Sequence, residues 1–165
     1  MTFHLKEYST YNEEEIVELY QSVGWSNYYN RPKMLREAYK SSLFILAACV
    51  ENNLVGIIRV VGDGASIIYV QDILVHPNYQ RQGIGRALVE QAMARFAAVY
   101  QKVLITDDSL QTKAFYESIG FKKIDEMDSR DAELLQYQDT HLNMIFKHAA
   151  FTTNYYSSFT RATSI

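Results

Sequence analysis

A glycine-opened helix start at residues 83–85 carries the clearest chemical signal in the chain. The apolar run Ile73-Leu74-Val75 ends at His76-Pro77, a polar turn follows, and Gly83-Ile84-Gly85 begins a helix. Glycine lets the backbone approach a ligand because it has no Cβ atom. The first amides of a helix lack internal partners, and the helix dipole is positive at that end. The pattern predicts an anion site best suited to phosphate, with Arg81 and Arg86 adding charge-assisted bonds.

The spacing of these glycines separates three phosphate-binding motifs. A Walker A loop is excluded because no Gly-Lys-Ser/Thr follows. The dinucleotide-binding fingerprint is excluded because this segment lacks the third glycine of that motif. The segment Gln80-Arg81-Gln82-Gly83-Ile84-Gly85 instead resembles the acyl-CoA pyrophosphate loop of the GCN5-related N-acetyltransferase (GNAT) superfamily. The resemblance covers roughly residues 2–147, and its specific part is 69–121.

The resemblance implies how coenzyme A is held. Main-chain amides from Gln82 to Arg86 are expected to bind the pyrophosphate, so a side chain at Gly83 or Gly85 is expected to clash. The strand segment Ile73, Leu74 and Val75 is expected to pair with the pantetheine arm, since an exposed strand edge accepts an extended, amide-bearing chain.

A second motif, Ala114-Phe115-Tyr116-Glu117-Ser118-Ile119-Gly120-Phe121, resembles a family segment in which the tyrosine lies near the thioester sulfur. By this resemblance Tyr116 is the general acid, and a phenol can donate a hydrogen bond at neutral pH. The structural alternative is an amphipathic core helix in which Tyr116 is an ordinary half-buried residue. The family asparagine seven residues upstream is Ser109 here, and its hydroxyl is expected to bond a pantetheine or phosphate oxygen.

The general base is not defined by these motifs. Alternation along a strand puts Tyr69 and Gln71 on one face and Asp72 on the other, although a bulge would exchange the faces. Family members use a base at the positions of Tyr69 or Gln71, and neither residue is a good base. We expect Tyr69 and Gln71 to orient a water that removes the proton, whereas Asp72 either ties a neighbouring loop or acts as the base. His76 is expected to leave the strand without a catalytic role.

Together the motifs predict transfer of an acetyl group from acetyl-CoA to a primary amine by direct attack, with Tyr116 protonating the CoA thiolate. A thiolate is a fair leaving group, so much of the rate is expected from positioning. A non-catalytic acyl-CoA-binding or interaction module on the same fold is the alternative.

The acceptor is expected to meet the aromatic loop 25–30, by analogy with the family. Trp25, Tyr28 and Tyr29 suit an amine with an apolar or aromatic body, or a cation over a ring. The structural alternative is that these three rings cover the hydrophobic core and do not contact the acceptor. The sequence does not choose among several acceptor classes, namely aralkylamines, polyamines, amino acids, antibiotics and protein amines. The partner is therefore given as a small-molecule or peptide amine.

Composition narrows the class of protein. The 165 residues fit one domain, and a net charge of −3 gives no general attraction to nucleic acid or to anionic membranes. The single cysteine, Cys49, is expected to be a buried hydrophobe, and the sequence shows neither a disulfide framework nor Cys/His metal spacing. No apolar run reaches the ~18 residues of a membrane span, and residues 1–10 do not read as a signal peptide. These features predict a cytoplasmic enzyme without a metal cofactor.

Hydrophobic periodicity predicts the order β-α-α-β-β-β-α-β-α-β-β, which is the order expected of the GNAT fold. We therefore expect an α/β (α+β) single domain with a mixed, mostly antiparallel sheet, flanking helices and splayed fourth and fifth strands. The domain is assigned to residues 1–147. The sequence leaves three alternatives for the tail 148–165: it is disordered, it is an interaction segment, or it is foreign to the natural protein. The resemblance also favours a homodimer.

Overall fold

The computed structural model describes residues 2–106, 109–123 and 141–146, which form a sheet with helices on both faces. The strands are β1 His4–Glu7, β2 Phe44–Val50, β3 Asn53–Gly62, β4 Ile67–Val75, β5 Gln101–Thr106, β6 Lys122–Lys123 and β7 His141–Phe146. The helices are α1 Glu13–Ser22, α2 Ser26–Tyr29, α3 Pro32–Lys40, α4 Ile84–Arg95 and α5 Leu110–Glu117, with a 3₁₀ turn at Pro77–Tyr79. The polar and acidic segment 125–139, which the sequence predicts to be a loop or a long excursion, and the tail 148–165 lie outside the described residues.

The sheet is mixed, as predicted. Its spatial order is β1-β2-β3-β4-β5-β7-β6. Strands β1 to β4 pair antiparallel, whereas the pairs β4–β5, β5–β7 and β7–β6 are parallel. The polar turn Glu51-Asn52-Asn53 between two apolar runs predicts a hairpin. The hairpin is present between β2 and β3, and Glu51 and Asn52 both have positive φ.

The sheet separates two hydrophobic cores. The near-continuous apolar run 43–50 predicts a central strand. β2 is indeed buried at all seven positions, but it lies second from the edge of the sheet, between β1 and β3. Neighbouring residues of β3 alternate between the cores, since Ile57 packs with the α1–α3 layer and Ile58 with the α4 layer. The burial of Cys49 confirms its prediction as a small core residue, and this burial raises the pKa of the thiol.

Two helices of the α1–α3 layer begin where the sequence predicts, since Asn12 with Glu15 three residues on is typical of a helix cap and Pro32 of a first helical turn. The Asn12 side chain caps α1 by accepting hydrogen bonds from the amides of Glu14 and Glu15. Pro32 occupies the first turn of α3. The spacing of Met34, Leu35 and Ala38 predicts one packed side of α3. Met34 is instead 39% exposed, because Leu35 and Tyr39 fill the packed side. Residues 25–30 were expected to be a loop, and the structure instead forms the short helix α2 there.

Strands β4 and β5 separate part-way along their length. Their parallel pairing runs from Ile67↔Gln101 to Val70↔Leu104 and then stops. β4 continues to Val75, and in the part of the chain described no strand pairs with that side of 71–75. This opening confirms the predicted splay and leaves main-chain groups of β4 available to a ligand.

One extra residue of β4 changes which side chains face the α1–α3 layer. Arg59 pairs with Asp72, whereas the next residue of β3 pairs with Val70. Gln71 is therefore a β-bulge, and the side chains that follow it lie on the opposite faces of the sheet from those that regular alternation would give. Asp72 then lies on the same side of the sheet as Tyr69. The prediction that Asp72 points away from Tyr69 assumed regular alternation along the strand, and it is wrong because of this bulge.

Candidate functional site

A cleft opens where β4 ends and α4 begins, and its volume is about 180 Å³. A drug-sized pocket is larger, about 300–1,000 Å³. The cleft is therefore the size for part of a ligand, such as a diphosphate. Its lining residues are Val75, Tyr79, Gln80, Arg81, Gly83, Ile84, Gly85, Arg86 and Phe115.

The N-terminus of α4 is left without a cap. Gly83 precedes the helix with φ 84°, and no side chain accepts a hydrogen bond from the first turn. The first helical bond runs from the Ala87 amide to the Gly83 carbonyl. Among the described residues, the earlier amides of the turn, Ile84 to Arg86, find no acceptor. This end of α4 therefore offers free donors and a positive dipole to an anion.

Gly83 is needed for its backbone conformation. A Cβ atom added there meets no protein atom within 4 Å, so within the protein there is space for a side chain. The positive φ is what an L-residue adopts only with strain. The clash predicted for a side chain at Gly83 therefore concerns a bound ligand, and it stays a prediction, as does the clash predicted at the buried Gly85.

The loop before α4 is held by its own side chains. Gln80 Nε2 donates to the Val75 carbonyl at 3.0 Å, and Gln82 Nε2 donates to the Asn78 carbonyl at 3.3 Å. His76 Nδ1 accepts from the Asn78 amide at 3.2 Å, so this imidazole starts the 3₁₀ turn, as its predicted place at the strand exit suggests. The two glutamine side chains thus shape the loop, and the main-chain contact with a diphosphate predicted from Gln82 onward stays a prediction.

Two arginines flank the helix end. Arg86 Nη2 donates to Ser118 Oγ at 2.8 Å, which ties the start of α4 to the end of α5, and Nη1 lies 3.4 Å from Glu90 Oε1. Ser118 in turn donates to the carbonyl of Phe115, a residue of the cleft wall. Arg81 is exposed and makes no hydrogen bond or ion pair to any residue described. Both guanidinium groups add positive charge at the cleft.

Tyr116 is buried beside the cleft. It is 5% exposed, and its ring makes edge contacts with Phe115 at 5.0 Å and Phe121 at 5.8 Å between centroids. Phe115 lines the cleft and Tyr116 does not. The ring thus has the core packing of the structural alternative, and its role as acid stays a prediction.

Ser109 is the N-cap of α5. Its hydroxyl accepts from the Thr112 amide at 3.2 Å and donates to Thr112 Oγ1 at 2.8 Å. The contact predicted between Ser109 and the coenzyme is not tested by this arrangement.

The aromatic residues predicted to meet the acceptor pack together against α1. Tyr28 stacks on Tyr20 at 5.2 Å, and Trp25 lies 5.5 Å from Tyr28. Tyr28 Oη accepts from Gln71 Nε2 at 3.3 Å, so one predicted acceptor residue contacts one predicted catalytic residue. Tyr29 is half-buried on the same short helix. Burial raises the pKa of Tyr28, which keeps its hydroxyl neutral.

Tyr69 lies on the Asp72 side of the sheet. Its ring is half-buried, and the pKa of its phenol is raised, first by burial and then by the charge of Asp72. A neutral phenol can orient a water, as predicted, but it cannot accept a proton as a strong base.

A buried ion pair lies behind these residues, and sequence reasoning missed it. Asp72 Oδ2 accepts from Arg59 Nε at 2.5 Å and from the Tyr20 hydroxyl at 2.8 Å. Burial raises the pKa of Asp72, while Arg59 and Tyr20 oppose that rise. The signal was present, since Arg59 is a lone charge in an apolar strand and such a charge needs a partner. Asp72 therefore holds two strands and a helix together and does not tie a loop.

Comparison with known proteins identifies the family. The model of the acetyltransferase (GNAT) domain matches residues 7–146. The chain belongs to the GNAT acetyltransferase family. A solved GNAT family acetyltransferase from Streptococcus pneumoniae TIGR4 shares 39% identity with a TM-score of 0.71, covering 77% of this chain and 92% of that one.

Curated relatives of this GNAT domain include two uncharacterized N-acetyltransferases. The ycf52 protein of Pyropia yezoensis is 26% identical over 117 residues, and the ycf52-like protein of Prochlorococcus marinus is 28% identical over 127. The matches cover 68% and 73% of this chain, and 66% and 68% of the relatives. The chain thus spans about two thirds of the relatives' length.

The GNAT cleft suits the coenzyme's diphosphate. Its free amides, two arginines and glycine backbone offer what a doubly charged, oxygen-rich group needs. In the ranges described, no three or more His, Cys, Asp or Glu residues are grouped to hold a metal ion, and no helix is long and apolar enough to cross a membrane.

Proposed function

We propose that this GNAT domain transfers the acetyl group of acetyl-CoA to the primary amine of a small molecule or peptide. The observation that carries the proposal is the uncapped start of α4 beside the unpaired edge of β4. One feature binds a diphosphate and the other binds an extended amide-bearing arm. The two adjoin at Val75, so a single coenzyme molecule can use both.

The coenzyme is held mainly by backbone. Amides of residues 82–86 bind the diphosphate, with Arg81 and Arg86 adding charge. The edge of β4 at Ile73 and Val75 pairs with the pantetheine arm, which leads the thioester toward the bulge at Gln71. Family members in general use acetyl-CoA, and the acetyl donor is part of this proposal.

The reaction is a direct displacement at the thioester carbonyl. A C–N bond forms, the C–S bond breaks, the amine loses a proton to a water, and the thiolate gains a proton. Tyr69 and Gln71 lie on the acceptor side of the bulge, where they orient that water. Tyr116 supplies the proton to the thiolate, which requires its hydroxyl to reach the sulfur from the wall formed by α5.

The acceptor lies over the α2 side of the bulge. Tyr28 and Trp25 present aromatic surface there, and Tyr29 adds a third ring on the same helix. An apolar or aromatic body attached to the amine fits this surface. The proposal includes a cytoplasmic location and a homodimer, and light scattering on the purified protein tests the latter.

Calorimetry with acetyl-CoA and with free CoA tests the coenzyme site, and thiol release across a panel of amines tests transfer. We expect micromolar binding of both forms and turnover of at least one amine. Binding without turnover of any amine would favour the alternative of a non-catalytic acyl-CoA-binding module. Absence of binding by folded protein would refute both.

Tyr116→Phe tests the acid with the least disturbance of packing. The ring and its contacts with Phe115 and Phe121 stay, and melting curves measure what the loss of the hydroxyl costs the fold. We expect kcat to fall by 10²–10⁴-fold, the usual size of a lost general acid, with CoA affinity kept. Tyr100→Phe, which removes the hydroxyl of the exposed tyrosine directly before β5, is the control. Unchanged turnover in Tyr116→Phe would leave Tyr116 a core residue.

A further inference from the structure

The ion pair between Arg59 and Asp72 is buried on the face of the sheet that α1–α3 cover. The Arg59 and Asp72 side chains are 6% and 0% exposed. Taking two charges out of water carries a desolvation penalty that their attraction barely offsets, and apolar residues of similar size often serve stability as well. Asp72 Oδ1 is buried and finds no hydrogen-bond partner among the described residues. A pair with such an orphan oxygen is poorly explained by stability alone.

The pair belongs to a closed circuit of contacts that reaches the proposed acceptor side. Asp72 accepts from the hydroxyl of Tyr20, on α1. Tyr20 stacks on Tyr28, on α2, with an angle of 24° between the rings. Tyr28 accepts from Gln71, which is the bulge residue and directly precedes Asp72. The position of α2 relative to the bulge is thus tied to Asp72.

We propose that Asp72, held by Arg59, is a positioning residue for the acceptor amine, acting through Tyr20 to fix α2 and Tyr28 against the bulge of β4. The inference rests on the proposed function, because it assigns the α2 side to the acceptor. Asp72 touches neither substrate nor reacting atoms in this role and exchanges no proton with them. The coenzyme cleft lies on the other side of β4 and shares no residue with the circuit.

Tyr20→Phe is the main test, because it removes the hydroxyl that donates to Asp72 and keeps the stacked ring. Asp72→Asn is a second variant, although it leaves Arg59 buried without an opposite charge and is expected to lose stability. Glu13→Gln is the control. It breaks the exposed pair of Glu13 with Arg36 at 2.8 Å, which also joins two helices of this layer but does not reach β4.

We expect Tyr20→Phe to raise the KM for the best amine of the panel about tenfold, with the dissociation constant for CoA within twofold of the wild type. Glu13→Gln is expected to change neither. A loss of kcat in proportion to the unfolded fraction, with the acceptor KM unchanged, would show a merely structural pair and overturn the inference.

A second readout needs no substrate. Trp25 is the single tryptophan of the chain and lies 6.0 Å from Tyr20 and 5.5 Å from Tyr28. Its emission therefore reports the position of α2. Tyr20→Phe is expected to shift or quench this emission, and Glu13→Gln is not. Unchanged emission together with an unchanged KM would refute the inference, whereas failure of wild-type protein to bind CoA would refute the proposed function first.

Discussion

Replacing Gly83 by alanine separates the conformational role of this residue from its ligand-binding role. Gly83 and Gly24 have similar positive φ values, 84° and 77°, and a Cβ atom at either position meets no atom within 4 Å. Alanine at either position therefore carries the same penalty, that of an L-residue in the left-handed region, about 1 kcal/mol. For a chain of this length that corresponds to a fall in melting temperature of about 2–4 °C.

The two variants are expected to differ in coenzyme binding. Gly83 lines the cleft and precedes the free amides of α4, whereas Gly24 follows α1 on the opposite side of the sheet. The new methyl group at residue 83 occupies space that the diphosphate needs, and it shifts the backbone toward negative φ. We expect the affinity for CoA to fall at least tenfold, or about 1.4 kcal/mol. The Gly24→Ala affinity is expected to stay within twofold.

The assay is calorimetric titration with CoA at 15 °C, where both variants are folded by circular dichroism, together with melting curves. Equal stability losses with unequal affinities would support the reasoning. Equal affinities in the two variants would refute the assignment of the diphosphate to this loop. A much larger stability loss for Gly83→Ala would refute the claim that its surroundings have room for a side chain.

Three further perturbations test separate parts of the structure. Arg86→Gln is expected to weaken CoA binding several-fold and reduce its salt dependence, while Arg95→Gln at the far end of α4 leaves both unchanged in titrations at low and high salt. Lys102 is buried and donates to the carbonyls of Ala97 and Val99, and desolvation lowers its pKa. Lys102→Met is thus expected to cost about 1–3 kcal/mol in urea unfolding without changing CoA affinity, and an unchanged midpoint would contradict this. Burial raises the pKa of Tyr8 to about 12, so between pH 10 and 12 the unfolded chain loses a proton that the folded chain keeps, and stability falls as pH rises. Urea unfolding at pH 8 and 10.5 should show this fall, and Tyr8→Phe should reduce it; an equal slope in both proteins would contradict it.

Local signals made the starts of α1 and α4 predictable. Asn12 caps α1 and Gly83 precedes α4 because each residue type satisfies a need of the adjacent few residues. The splay of β4 and β5 was predictable only through resemblance to a family, since nothing in residues 71–75 themselves indicates that the neighbouring strand does not pair with them. The exposed Met34 shows the opposite case, in which periodicity fits two faces of a helix and packing by Tyr39 decides between them.

The short helix α2 and the burial of Tyr116 depend on contacts between distant segments. Residues 26–29 form a turn of helix because Tyr28 stacks on Tyr20 and bonds Gln71, which is 43 positions away. The sequence around Tyr116 fits both a site residue and a core residue; the edge contact with Phe121 shows that the ring packs in the core, and the role of the hydroxyl stays a prediction. Sequence spacing carries no information on such contacts.

The bulge at Gln71 shows why the catalytic face could not be counted from the sequence. Pairing of β4 with β5 ends at Val70, and the register with β3 changes at the next residue, so Gln71 is unpaired on both sides. At a position that is paired on neither side, a strand can accommodate one extra residue without breaking a continuous ladder. What fixes the bulge there is the match between Arg59 and Asp72, because without the shift the carboxylate would face the apolar α4 core while the arginine lost its partner. The same buried pair therefore turns Gln71 toward Tyr28, so the proposed acceptor side follows from one step in the register between β3 and β4. The free edge of residues 73–75 has a separate cause, because the pairing of β4 with β5 ends at Val70.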